Sequence, residues 1–70
     1  MDGVPDWLIR LGQERDELSA KMGKLNEYIF RNPAFDALLV EDRMLLRQQY
    51  LAMEQYRTIL DIRLRNAIRV

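Results

Sequence analysis

The stretch RNPAF, residues 31–35, separates two long helical patterns and decides the fold of this 70-residue chain. Asn32 precedes a proline and is therefore disfavoured in the α conformation, so the first helix is predicted to end beside it. The flanking patterns cover about residues 5–30 and 41–68. Because they are nearly equal in length and closely connected, we predict an all-α, antiparallel helical hairpin, with a short helical turn at residues 36–40.

Each long helix has an apolar stripe at the spacing of an amphipathic helix. In the first helix the stripe comprises Trp7, Leu8, Leu11, Leu18, Met22, Leu25 and Ile29. In the second helix it is broader and comprises Leu45, Leu46, Ala52, Met53, Tyr56, Ile59, Leu60, Leu64 and Ala67. Folding the chain about residue 35 brings Leu18 to Met53 and Leu11 to Leu60. These stripes are predicted to form the core.

Several small and apolar residues lie outside these two stripes, where the core of a single hairpin cannot bury them. A second apolar patch lies on nearly the opposite side of the second helix, at Met44, Leu51 and Ile62. Exposed apolar area of this kind usually marks a partner surface. Beside the stripe of the first helix lies a strip of small residues, Gly12, Ser19 and Gly23. These are either tolerated surface residues or a close-approach site for another helix. We predict a homo-oligomeric helix bundle with all six residues at the interface, the patch of one copy docking head-to-tail on the strip of the next.

Composition excludes several classes of function. Lys plus Arg and Asp plus Glu each number 11, and this zero net charge argues against a general nucleic-acid coat or a polybasic membrane binder. The chain has no His and no Cys, which excludes disulfides, zinc sites and Cys- or His-based catalysis. The three glycines are isolated and make no phosphate-binding loop. We predict one domain over residues 1–70 that is not an enzyme and uses no metal or cofactor.

Arginine dominates the basic residues, with nine Arg and two Lys. The guanidinium group binds phosphate through paired hydrogen bonds and stacks on aromatic rings, so Arg beside Tyr suits an anionic nucleotide. The candidate ligand-binding residues are Arg15, Arg43, Arg47, Gln48, Tyr56, Arg57 and Arg63. In this hypothesis Arg binds phosphate, Tyr56 stacks on a base and Gln48 reads a polar base edge. In the structural alternative Arg15 lies along the core or stacks on Tyr56, and Arg63 pairs with Asp6.

Residues spread over nearly the whole chain carry a family resemblance. They are Arg10-Leu11, Glu14, Leu18, Lys21, Lys24-Leu25, Phe35, Leu38, Asp42, Leu45-Leu46, Gln48, Met53, Tyr56, Leu60 and Arg63. Together they resemble small accessory proteins of tailed bacteriophages, the crAss-phage-related helical-hairpin family. The resemblance implies an accessory phage product in an infected bacterial host rather than a virion component. In fold alone, the hairpin is similar to phage sponge proteins that sequester cyclic-nucleotide immune signals in pockets between subunits.

Two functions from different classes fit these observations. The first is a counter-defence homo-oligomer that binds and sequesters an anionic immune signal, of cyclic-nucleotide or ADP-ribose type, at inter-subunit pockets. The alternative is a helical-bundle dimer that binds and inhibits or modulates a host or phage protein through its apolar patch. A third reading, binding of structured RNA, is disfavoured by the zero net charge. Because no apolar run nears the roughly 20 residues of a membrane span and no signal peptide is present, a cytoplasmic protein without membrane contact is expected.

Overall fold

A computed structural model describes residues 3–68 and confirms the helical hairpin. Helix α1 spans Asp6–Arg31, a short helix α2 spans Pro33–Asp36, and helix α3 spans Val40–Ile68. The two long helices, α1 and α3, pack against each other along their lengths. Both begin with acidic residues in the first turn and end with an arginine in the last, which complements the helix dipole at each end.

The turn between the long helices is built around Asn32 and Pro33. The Asn32 side chain caps α2 by accepting a hydrogen bond of 2.9 Å from the backbone N–H of Ala34. Pro33 occupies the first helical turn, where a missing N–H costs nothing. The helical turn predicted at residues 36–40 was therefore placed too late, because cap and proline together start it at Pro33. It ends at Asp36, and α3 begins four residues later.

The core of the described residues is small. Six hydrophobic side chains are buried: Leu11, Leu18, Met22, Ile29, Phe35 and Leu60. Leu60 is the only buried residue of α3, and it joins three residues of α1 in one cluster. Leu8, Tyr50, Met53 and Leu64 pack around that cluster. The predicted meeting of Leu11 with Leu60 agrees with this packing, because both belong to the same cluster.

The inner face of α3 differs from the predicted stripe. All but one of its more enclosed positions follow a heptad spacing: residues 43, 46, 50, 53, 57, 60, 64 and 67, with Asp61 beside them. Leu45, Ala52, Tyr56 and Ile59, which were assigned to the core, are exposed instead. Their places are taken by residues such as Arg43 and Arg57, because long amphipathic side chains can cover a helix seam with their aliphatic stems. The core of α3 is thus rotated away from its most apolar side.

No helix within residues 3–68 combines the length and apolar character required to cross a membrane.

Candidate functional site

A groove of about 360 Å³ lies on one edge of the hairpin, where the end of α1 meets the middle of α3. Its lining residues are Ile29, Phe30, Arg47, Tyr50, Leu51 and Glu54. The volume falls within the range of small-ligand sites. We call this side of the molecule the groove edge. It combines aromatic and aliphatic walls with one cationic and one anionic side chain.

The turn holds the guanidinium group of Arg47 at one end of the groove. Its Cζ lies 5.1 Å from the ring centroid of Phe35, within cation–π range. Phe35 is 1% exposed, and the ring of Tyr28 meets it edge-on, with centroids 6.0 Å apart and planes at 89°. Contact with a buried ring fixes the position of the guanidinium group beside the groove and leaves its N–H groups available to an acceptor.

Two further arginines lie along the same edge of α3. Arg43, Tyr50 and Arg57 are spaced seven residues apart on the helix seam, and all three are half-buried. At 1.5 Å per residue, the two arginines are about 21 Å apart, with Arg47 between them. The Nε of Arg43 is buried and has no hydrogen-bond partner among the described residues. Within residues 3–68, Arg43, Arg47 and Arg57 form no ion pair, so this part of the chain does not neutralise their charges.

Arg15 plays a different part from these three. Its Nε donates a hydrogen bond of 2.7 Å to Oδ1 of Asp61, and its Nη1 lies 3.5 Å from Oδ1 of Asp16. The hydrogen bond to Asp61, followed by that residue's negative charge, raises the pKa of Arg15 above its ordinary value. The expected stacking of Arg15 on Tyr56 is not formed, because the carboxylate takes the guanidinium group. Arg15 therefore ties α1 to α3 and is the least suited of the predicted residues to bind an anion.

The other predicted ligand-binding residues point away from the groove. Gln48, Tyr56 and Arg63 are exposed, and the helical period places them on the sides of α3 that face away from Arg47 and Glu54. Within residues 3–68, Arg63 makes no ion pair with Asp6. The structure thus splits the predicted set: Arg43, Arg47 and Arg57 share the groove edge, and the three exposed residues do not.

The six predicted interface residues lie on two separate surfaces. Met44, Leu51 and Ile62 are exposed on α3. Gly12, Ser19 and Gly23 lie on α1, and spacings of four and seven residues place them on the same side as Phe30, at the groove edge. A Cβ atom added to either glycine would meet nothing within 4 Å, so there is open space at these two positions. The Oγ of Ser19 is buried without a hydrogen-bond partner among the described residues.

Several groove residues were not among the predicted site residues. Phe30 is 72% exposed and directly precedes the turn, a position whose aromatic character was a usable signal. Tyr50 could have been found from its seven-residue spacing to Arg43 and Arg57. Ile29 was assigned to the core, where it is indeed buried, and it also forms the groove floor. Nothing in the sequence marks Glu54 as a groove residue, because exposed acidic residues are common on helices.

The chemistry available in the groove is binding chemistry. Phe30 and Tyr50 can stack on a planar ring, and Arg47 can pair with an anionic group beside it. Glu54 can accept hydrogen bonds from hydroxyl or amino groups. Within residues 3–68, no three His, Cys, Asp or Glu side chains are grouped so that they could hold a metal ion.

Comparison with known proteins gives one match. The model of the Sequestin family matches residues 5–66 of the 70-residue chain, a span that includes α1, the turn, every groove residue and all but the last two residues of α3. No curated protein and no solved structure matches the chain. The resemblance to crAss-phage-related hairpin proteins stays a prediction.

Proposed function

This chain belongs to the Sequestin family, and from that premise we propose that it is a non-enzymatic protein that binds and sequesters a small ligand. The family name itself describes sequestration. A sequestering protein needs a binding site and no catalytic group. We assign the binding site to the groove, because its side chains offer stacking, ion pairing and hydrogen bonding rather than an activated nucleophile.

The observation that carries the choice of ligand is the row of arginines beside an aromatic groove. Arg43, Arg47 and Arg57 follow one edge of α3 without an acidic partner among the described residues. Phosphate is the anion that guanidinium groups bind through paired hydrogen bonds. Phe30 and Tyr50 lie beside Arg47 and offer faces on which a base can stack. We infer an anionic nucleotide-type ligand, with phosphate at the arginines and the base between the two rings.

The setting we propose is counter-defence by a phage accessory protein in the cytoplasm of an infected bacterium. A protein that traps a nucleotide immune signal keeps it from its receptor without destroying it. Stoichiometric trapping suits a short chain, because many copies can be made quickly. We further propose that the chain acts as a homo-oligomer with its ligand between subunits, since the groove is open on one side and α3 exposes many apolar residues.

Thermal shift and calorimetry against a defined panel test this function. The panel contains cyclic dinucleotides, cyclic trinucleotides and cyclised ADP-ribose, with an uncharged nucleoside as the control. Because a ligand that binds only the folded state raises the unfolding midpoint, at least one panel member is expected to stabilise the protein. Absence of stabilisation by every member would reject the proposed ligand class.

A second function is favoured by a specific observation, the exposure of Met44, Leu51 and Ile62 on α3. These side chains could receive an amphipathic helix of a host or phage protein. In that case the patch stays free in the purified protein, and the protein captures a defined partner that a Leu51→Glu variant does not. If the purified protein is already an oligomer through this patch, the alternative loses its docking surface.

A further inference from the structure

One side of α3 is free of charge over five helical turns. We define it as the outer face, and its residues, all exposed, are Met44, Leu45, Gln48, Gln49, Leu51, Ala52, Gln55, Tyr56, Thr58, Ile59 and Ile62. The span from Met44 to Ile62 contains four charged residues. By helical period, Arg47, Glu54, Arg57 and Asp61 all lie on the groove edge, beyond the border that Leu51 and Thr58 form and well away from Leu45, Ala52 and Ile59. Between Met44 and Ile62, the charged residues of α3 are therefore confined to one side of the helix.

A helix face that remains in water normally carries charges. The solvent side of α1 does so, with Glu14, Glu17, Lys21 and Lys24 among its exposed residues. The outer face of α3 extends about 28 Å at 1.5 Å per residue and instead combines apolar residues with Gln and Thr. Depletion of charged residues is the compositional mark of an interface core. The outer face is therefore built to be covered.

The charges at the two ends of the outer face indicate what covers it. Glu41 precedes the face and Arg63 follows it, and both lie on the same side of α3 by helical period. Ala52 lies midway between them in sequence. It also lies midway between two apolar residues, Leu45 and Ile59, each of which is seven residues away. A second α3 laid antiparallel about Ala52 would therefore set Glu41 opposite Arg63, and Leu45 opposite Ile59.

We propose that a second copy of this chain docks on the outer face, with α3 antiparallel to α3 about a two-fold axis at Ala52. The contact is self-complementary, because each copy presents the same face and the opposite charges meet at both ends. The small side chain of Ala52 lets the helix axes approach closely at the centre. A parallel arrangement would instead oppose Glu41 to Glu41 and Arg63 to Arg63.

This dimer also bears on the groove. Leu51 lines the groove and belongs to the outer face, so the docked helix borders the groove at that residue. A two-fold dimer then carries two equivalent ligand sites. It differs from the head-to-tail arrangement predicted above, in which the patch meets Gly12, Ser19 and Gly23. That strip lies on the groove edge and stays free for ligand in the two-fold dimer.

Disulfide trapping tests the arrangement, since the chain has no cysteine and each introduced thiol is unique. In mild oxidant, Ala52→Cys is expected to link nearly all of the protein into a species of twice the 8.4 kDa chain mass. A disulfide needs Cβ atoms about 3.5–4.5 Å apart, and two copies of the same residue come this close only near the two-fold axis. Glu14→Cys, exposed on α1, is the matched control and is expected to remain largely unlinked.

A second pair of variants determines the direction of the helices. Glu41→Cys and Arg63→Cys are each expected to resist self-linking and to link to one another when the two variants are mixed. Self-linking of Glu41→Cys would show parallel helices and overturn the proposal. An unmodified protein with the mass of one chain in solution would overturn it as well.

The outcome is independent of the proposed ligand. A two-fold dimer that binds no member of the nucleotide panel contradicts the proposed function and leaves the dimer standing. A single chain that binds a panel member contradicts the dimer and leaves the sequestering function standing.

Discussion

The Nε of Arg15 donates a 2.7 Å hydrogen bond to Oδ1 of Asp61, and this contact joins α1 to α3 across 46 residues of sequence. It lies beside the hydrophobic cluster that contains Leu11, Leu18 and Leu60. Both charged side chains are partly exposed, so water and salt reach the pair. The contact sets the register of the two helices and removes Arg15 from the group of arginines available to an anion.

We expect loss of this pair to reduce stability. Asp61→Asn and Arg15→Gln should each lower the free energy of unfolding, and the double variant should lose less than the sum of the two. The pair is partly exposed, so the coupling should decrease in high salt. Urea denaturation of the four proteins at low and high salt measures it. Additive losses that salt does not change would contradict the role given to this contact.

Leu60 is fully buried and is the only such residue that α3 contributes to the core. Leu60→Ala is expected to reduce the free energy of unfolding by about 2–5 kcal/mol, because it removes buried methyl groups and leaves a cavity. Leu39→Ala is the matched control, since Leu39 is exposed in the turn and its loss should change stability by no more than about 0.5 kcal/mol. Equal effects in chemical denaturation would contradict the assigned packing.

Arg47 is predicted to contribute most to ligand affinity, because Phe35 holds its guanidinium group at the groove. Arg47→Ala should raise the Kd of any panel member that binds at least tenfold, which corresponds to about 1.4 kcal/mol. Arg47→Lys keeps the charge without the planar fork, and its affinity should fall between the two. Arg10→Ala removes an exposed arginine of α1 and should bind like the unmodified protein. Calorimetry measures the Kd for the unmodified protein and all three variants. An unchanged Kd in Arg47→Ala would show that the ligand does not bind in the groove.

Ile59 is exposed in one copy of the chain and lies near the centre line of the outer face, opposite Leu45 of the second copy in the proposed dimer. Ile59→Glu should dissociate the oligomer, because a two-fold contact buries the new charge twice. Glu17→Ala, on the solvent side of α1, should leave the assembly intact. Light scattering or native mass spectrometry gives the masses, and circular dichroism shows whether the separated chains keep their helices. An Ile59→Glu protein of unchanged mass and stability would show that the outer face is not an interface.

Sequence reasoning reached the hairpin because its determinants are local. Asn32 and Pro33 break the helix by backbone sterics and capping, which need no knowledge of distant residues. The side of α3 that packs on α1 was harder to predict. Apolar residues are spread widely around α3, and the inner seam includes Arg43, Tyr50 and Arg57, whose polar ends hide their packing role.

Only part of the candidate site could be predicted from the sequence, because the rest depends on which side of α3 packs on α1. Arg43, Arg47 and Arg57 were identified as residue types suited to phosphate, and helical period then places them on one edge. The pairing of Asp61 with Arg15 could not be predicted from the sequence, because it depends on how the two helices are rotated against each other. The rotation of the helices also determines that Phe30 and Tyr50 line the groove.

Equilibrium dialysis with recovery of the ligand tests the central claim most directly. Protein is held on one side of a membrane, each member of the nucleotide panel is added to both sides, and the protein is then denatured to release what it holds. The account predicts that one anionic nucleotide accumulates on the protein side and is recovered chemically intact by mass spectrometry. Equal concentrations on both sides for every member, or recovery of a converted product, would contradict sequestration by a non-enzymatic protein.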